Sequence, residues 1–308
     1  MYKQTTYKKE GLEYIELFDS NGFSKVKISV DQGASVLNLK LDNAQVIDMD
    51  SSSYEDTYAS SILFPFANRV KNGTYKHNNK TYQLDCNDMP RNNALHGLVY
   101  NKRIAVKTTE LTADFGLVTL HYSNDGASIG FPFTYELLVT YKLKNNALTV
   151  TVKVENTDSS FFPFTLGWHP YFKSEDLYNS YLRFKSTKKL KFDNQLIPLD
   201  IEAYTQTEAL QIKDSKLDDC YILSDNEVEF VTPTYNMKIS TTSIDNFLQL
   251  YTPEKRNTIA IEPMTGVSDS LNNKIGLQIL DVGKTYEVSW NIIIENLTKN
   301  MNTKGYNS

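Results

Sequence analysis

Apolar and polar residues alternate with a period of two along most of the chain. Leu148, Val150, Val152 and Val154 alternate with Thr149, Thr151, Lys153 and Glu155. Successive side chains of an extended strand point to opposite faces, so this pattern predicts a half-buried β-strand. Tyr135, Leu137, Val139, Tyr141 and Leu143 form another such face just before it. Asn145-Asn146 lies between the two and predicts a hairpin turn, because Asn tolerates the left-handed backbone that such turns use. Tyr286, Val288, Trp290, Ile292 and Ile294 repeat the pattern after a Val282-Gly283-Lys284 turn. Further alternation covers 25–31, 35–41, 103–109, 117–123, 227–231, 236–241 and 246–252. No stretch carries an amphipathic helical stripe of useful length; short helical turns are expected near 51–60 and 173–180. Many short strands divided by Asn, Asp and Gly turns predict an all-β fold, a large antiparallel sandwich or barrel.

Composition narrows the class. With 308 residues, 40% of them hydrophobic, the chain can fill one large β core. No linker rich in Pro, Gly or Ser divides it and no repeat stands out, so one domain is expected over 1–295, followed by a polar tail over 296–308. Tyrosine is abundant, at 20 residues, and its ring with a polar tip suits both sheet surfaces and sugar-binding walls. A net charge of −5 argues against a nucleic-acid partner, which requires a basic footprint. Cys86 and Cys220 are far apart and show no metal-type spacing; two lone thiols fit a reducing compartment. The N-terminal MYKQTTYKKEGLEY has no apolar secretory core, and no run is long enough to cross a bilayer. A cytoplasmic protein with no membrane partner is expected.

Four histidines narrow the search for chemistry. His77, in YKHNNK, reads as a solvated hairpin residue, and His121, in the strand Val118 to Tyr122, as structural. His96 precedes Gly97, which permits a tight turn or close ligand approach. His169 lies among Trp168, Pro170, Tyr171 and Phe172, where flat rings and one proton carrier suit a sugar pocket. Each of the two also fits a satisfied core histidine. Glu262 follows the strand-like Asn257–Ile261 and precedes Pro263, which tends to end regular pairing, so it is a candidate strand-end base. Asp218 and Asp219 adjoin an apolar run; either a pocket carboxylate or an ordinary turn accounts for them. Arg69 follows an apolar-aromatic stretch, and its forked donors suit sugar hydroxyls or a loop carboxylate. Gly283-Lys284-Thr285 mimics the end of a P-loop, but position 278 is Gln and a strand pattern follows. No pair among His96, His169 and Glu262 has close metal-ligand spacing, so no metal or other cofactor is expected.

Five segments in order resemble the aldose 1-epimerase (galactose mutarotase) family: FANRVKNGTY at 66–75, LHG at 95–97, GWHPYF at 167–172, LDDCYIL at 217–223 and IEPMTGVSDSLNN at 261–273. The resemblance implies the galactose mutarotase-like supersandwich, a large antiparallel β-sandwich. It implies that Glu262 is the general base on the anomeric hydroxyl, His169 the general acid on the ring oxygen, and His96 a polariser of that oxygen. It also implies that Arg69, Asn68 and Asp218 hold the sugar, with Trp168 and Tyr171 as pocket aromatics. The reaction so implied is interconversion of the α and β anomers of a free aldohexose, in a monomer or homodimer. Trp168 and Pro170 around the second histidine, and Leu98 after Gly97, depart from the familiar pattern and are expected to shape substrate preference.

Three other readings use the same residues. A hexose-6-phosphate 1-epimerase would need a cationic clamp, for which Arg69, Lys71, Arg91, Lys102 and Arg103 are candidates. A carbohydrate-binding protein without activity would keep Arg69, Asp218 and the aromatics but lose the acid or base. A glycoside hydrolase would use Asp218 and Glu262 as its two carboxylates and leave the histidines without a main role.

Overall fold

The computed structural model describes residues 1–49, 53–205 and 208–297. The alternating stretches are strands with their apolar faces inward. In Ala147–Asn156, Leu148, Val150, Val152 and Val154 are each fully buried while the intervening polar residues reach the surface. Burial of each such side chain contributes about 1.5–3 kcal/mol, so register in these strands is strongly specified.

The architecture is all-β and antiparallel. An N-terminal five-stranded meander, from Tyr2–Lys9 to Ala44–Asp48, packs against a 15-stranded sheet. One large apolar core joins them, containing Ile15, Val26 and Leu39 from the meander and Leu120, Val139 and Trp290 from the large sheet. The Tyr141 hydroxyl also donates to the Ala34 carbonyl at 2.6 Å across the two sheets. Along its main path the large sheet passes from Ala105–Leu111 through the strands Thr134–Lys144, Ala147–Asn156 and Thr285–Asn296. It continues through Asp218–Val231, Phe247–Tyr251 and Thr258–Met264 to the short strands Gly167–Trp168 and Ile62–Leu63. That last, irregular end of the sheet carries the candidate site residues His169 and Glu262.

Several local expectations change. A helical turn forms at Tyr54–Thr57, but residues 173–180 contain none: Tyr171–Lys173 is a strand, and Ser174 is tied into a turn through Ser180 and Asp176. A second turn of helix, Ser270–Asn273, carried no periodic signal in so short a span. The Asn145-Asn146 hairpin exists, with Lys144 paired to Ala147, yet neither Asn has a left-handed backbone. That conformation occurs instead at Asn78 and Asn79, in the hairpin that carries His77. Pro263 does not end its strand: it sits opposite Leu248, and pairing runs on to Met264 opposite Phe247. Asn296, placed in the tail by the sequence, is the last residue of a strand and faces Tyr235; the tail residues 298–308 lie outside the described residues.

Candidate active site

Register brings distant residues onto one face. Cys220 stands beside Gln249, and Gln249 beside Glu262, across three antiparallel strands. The next row is Asp218, Tyr251, Ala260 and Tyr171. Gly167 pairs with Met264 and Tyr171 with Ala260 on one common register, so His169 falls opposite Glu262. Because side chains alternate, Asp218 and Glu262 share a face while Asp219 turns away to pair with Lys189 at 2.7 Å.

The opposite wall comes from two short segments. Arg69 and Val70 pair with Leu95 and Ala94, which places Arg69 near His96. The His96 backbone N–H donates to the Asn68 carbonyl at 2.8 Å. Asn68 and His96 both have left-handed backbones, with φ of 56° and 64°; for His this is a strained conformation, of a kind that clusters at functional sites. Gly97 follows at φ 76°, and a Cβ there would lie 2.4 Å from the Phe64 carbonyl oxygen. Glycine is therefore required for the turn that presents His96.

These walls enclose a cavity of about 420 Å³, within the usual range for small-molecule sites. At its deep end the His169 Nε2 atom lies 3.4 Å from Glu262 Oε1, with both residues almost fully buried. The His96 and His169 rings meet edge to face at 4.9 Å. Three polar atoms here have no protein partner: Nδ1 of His96, Nδ1 of His169 and Oε2 of Glu262. Buried polar atoms are ordinarily satisfied, so the three mark a place where protein packing has been left incomplete.

Hydrogen bonds link the other cavity residues. Asp88 accepts from Arg69 Nε at 2.7 Å, and Arg69 Nη1 donates to Asn68 Oδ1 at 2.9 Å. Asn68 Nδ2 donates to Gln249 Oε1 at 3.4 Å, and Gln249 Nε2 to Asp218 Oδ1 at 2.8 Å. Two guanidinium nitrogens of Arg69 are thereby committed, and the third is left for the cavity that Arg69 lines.

Burial dominates the electrostatics. It raises the Glu262 carboxyl well above the ordinary range, the Asp218 charge adds to this, and Arg69 opposes it. Burial lowers His169 from about 6.5 to about 4 and drives His96 well below its ordinary value, with the charge on His169 contributing. Asp218 is raised by burial and lowered by Arg69. Opposed displacements in neighbouring carboxyl and imidazole groups favour a pair that holds one proton between them, able to pass it across 3.4 Å.

A sequence model described as aldose 1-epimerase matches residues 16–292, nearly the whole chain. The chain belongs to the aldose 1-epimerase family. This is a family of isomerases, and its fold is recovered in solved structures. A galactose mutarotase-like protein from Clostridium acetobutylicum superposes with a TM-score of 0.86 at 20% identity, covering 96% of this chain and 99% of that one. Among curated relatives, the uncharacterized protein YihR of Escherichia coli is 26% identical over 76% of this chain and 79% of its own length. The galactose mutarotase of Pongo abelii is 26% identical over 54% of this chain; the match spans about half of that relative, 48%.

The cavity is lined by Glu262, His169, His96, Arg69, Asn68, Asp218 and Tyr171, among others. Trp168 is a correction. It is fully buried on the other face of its strand, stacked on Trp290 at 6.1 Å, with Nε1 donating to the Ser60 carbonyl at 3.2 Å. Leu98 is another: it packs on the main core beside a separate depression that includes Tyr100. Outside the site, His77 contacts the Phe161 carbonyl at 3.1 Å and His121 is bonded to Glu136. Sequence reasoning passed over Gln249, Asp88 and Tyr58, whose ring lies 4.9 Å from that of His96. For Gln249 a signal existed, a lone amide inside the apolar run Phe247-Leu248-Gln249-Leu250. Asp88 and Tyr58 sit in irregular segments with none. Among the described residues, no group of His, Cys, Asp and Glu is arranged to hold a metal ion.

Proposed function

We propose that this aldose 1-epimerase family member interconverts the anomers of a neutral, free aldohexose by general acid/base ring opening. The observation that carries the reading is the buried His169–Glu262 contact at 3.4 Å, set beside His96 in a cavity with Arg69 and Asp218. Glu262, as carboxylate, takes the proton of the C1 hydroxyl while His169, as imidazolium, delivers one to the ring oxygen as the C1–O5 bond breaks. Rotation about C1–C2 and reclosure return both protons to their starting groups. This division requires the pair's single proton to rest on His169 at the reactive moment. A sugar hydroxyl donating to Glu262 favours that arrangement, because it stabilises the carboxylate. His96, kept neutral by burial, polarises the ring oxygen, and Arg69, Asn68 and Asp218 orient the hydroxyls. Tyr171 offers an apolar ring face to the sugar. Positioned proton transfer of this kind contributes about 10²–10⁴-fold per group.

The charge distribution favours a neutral substrate over a phosphorylated one. Of the five cations considered for a clamp, only Arg69 and Arg91 line the cavity, and both pair with Asp88. Lys71 lies 3.9 Å from Asp193, Arg103 is held by Glu13 and Asp31, and Lys102 borders the separate depression. Asp48, Asp56 and Asp218 also line the cavity and would repel a phosphate, against the single further cation Lys255 on its lining. The free thiols Cys86 and Cys220 accord with a cytoplasmic setting. Polarimetry on freshly dissolved α-glucose, α-galactose and glucose 6-phosphate tests the proposal. Accelerated decay of optical rotation with the free sugars is expected, and a strong preference for the phosphate would overturn it.

A further inference from the structure

One leucine of the cavity wall stands in a strained backbone and outside the apolar core. Leu196 sits in the loop 193–197, which joins the strands Tyr181–Phe192 and Pro198–Ala203, and it lines the same cavity as Glu262 and Asp218. Its backbone is left-handed, with φ of 58°. For a bulky aliphatic residue this conformation is an outlier, and such strain persists only where the surroundings over-determine it. Leu196 is half-buried, yet among the described residues it packs on none of the apolar clusters of the core. Packing of the fold therefore does not account for a leucine at this position.

The loop is fastened from several sides. Asp193 Oδ1 accepts from the backbone N–H of Gln195 at 2.8 Å and of Ile197 at 3.0 Å, and the Leu196 N–H donates to the Asp193 carbonyl at 3.0 Å. Gln195 Nε2 donates to the Arg91 carbonyl and Asn93 Nδ2 to the Gln195 carbonyl, both at 3.0 Å. Ser268 Oγ donates to the Leu196 carbonyl at 3.0 Å. Asn93 belongs to the segment that leads into His96, and Ser268 to the one that follows Glu262; both are buried. The position of Leu196 is thus set by the segments that carry His96 and Glu262. These bonds use the backbone and neighbouring side chains, so they do not depend on the leucine side chain itself. That side chain is left as an apolar surface in a cavity lined mostly by charged and polar groups.

A pyranose carries apolar C–H groups on its ring faces and hydroxyls around its edge, and epimers differ in how those C–H groups are grouped. We infer that Leu196 is a specificity-determining residue, the apolar contact for one C–H face of the aldose, held in a strained backbone that presents it. The inference rests on the sugar reading of the cavity, but its binding consequence does not depend on turnover. Isothermal titration calorimetry on the full chain would measure glucose, galactose, mannose and xylose with wild type, Leu196→Asn and Leu196→Met, alongside thermal unfolding. Asparagine tolerates the left-handed backbone and removes the apolar surface. It should weaken the best-bound aldose by about five- to tenfold, the worth of covering the exposed part of one leucine. The worst-bound aldose should lose less, and the Tm should be no lower than that of wild type. Leu196→Met keeps an apolar side chain of similar size and should bind as wild type does. Unchanged affinities, equal losses on all four sugars, or a methionine variant as weak as the asparagine one would overturn the inference. A lower Tm for Leu196→Asn would also overturn it, by making the leucine a strut of its own loop. Polarimetry on the same proteins separates the two readings. Binding that behaves as stated without anomerisation would sink the epimerase reading and leave the contact standing, whereas a wild type that binds none of the four would sink both.

Discussion

His169→Asn offers a quantitative test of how the site is built. The ring is 5% exposed, packed 4.9 Å from His96 and 5.1 Å from Tyr171, with Nδ1 unpartnered. Burial lowers its pKa from about 6.5 to about 4. Between those values the unfolded chain holds a proton on this ring that the native chain does not, so stability rises with pH across the window. The contribution is absent above about pH 6.5 and fully developed below about pH 4, where it destabilises the native state by about 3 kcal/mol. Asparagine does not titrate. It forfeits the ring contacts at every pH, a constant penalty, and removes the pH-dependent one. Glu262, whose pKa is raised, acts in the opposite sense, with stability falling as pH rises towards its displaced value. That term is present in both proteins and largely cancels in the difference. The assay is equilibrium urea unfolding of wild type and variant from pH 7 down to pH 4, read by fluorescence of the buried Trp168–Trp290 pair. The wild-type stability relative to the variant should fall by about 3 kcal/mol over that range. Parallel stability curves would show that His169 titrates normally and that its burial does not control its protonation.

Glu262→Gln should lower kcat/KM by about 10²–10⁴-fold with sugar binding retained; polarimetry and calorimetry together check this, and near-wild-type turnover would remove Glu262 as the base. The pH profile of kcat/KM should be a broad bell, because the active pair carries one proton. Below about pH 4 the pair gains a second and loses its base, and above the raised Glu262 value it loses the only one and with it the acid. An acid limb at the ordinary histidine value would contradict this. Asp88→Asn frees Arg69 from its 2.7 Å anchor and should raise KM by about tenfold with a smaller change in kcat; steady-state kinetics showing an unchanged KM would mean that Arg69 is positioned without it. Gly97→Ala forces a Cβ to within 2.4 Å of the Phe64 oxygen at a positive φ, and should destabilise the protein by about 2 kcal/mol or more in thermal unfolding.

The strands were legible because their physical cause is local. A side chain that alternates between core and solvent writes its own period into the sequence, and 135–143, 147–155 and 286–294 fall within strands that extend them by one or two residues. The sheet order was not legible, since nothing in Leu148 or Ile292 states that Ala147–Asn156 pairs with the distant Thr285–Asn296. Glu262 shows the limit of a local rule. Proline disfavours helix and removes a donor, but Pro263 still keeps a place opposite Leu248 in a ladder that continues past it.

Trp168 was misplaced by reasoning that treated an aromatic cluster as one object. Within a strand, neighbours cannot share a face. If His169 looks into the cavity, Trp168 must look away from it, and Tyr171, two residues beyond His169, returns to the cavity side. The same parity admits Gln249 once Glu262 is accepted, because it sits directly opposite on the adjoining strand. A buried amide there holds both Asn68 and Asp218 through its two ends, at 3.4 and 2.8 Å, so two segments far apart in sequence take their positions from one side chain. Motifs named the candidate residues for the chemistry, each within its own short segment. The residues that align those segments with one another, Gln249 and Asp88, have no motif because their role exists only once the strands have met.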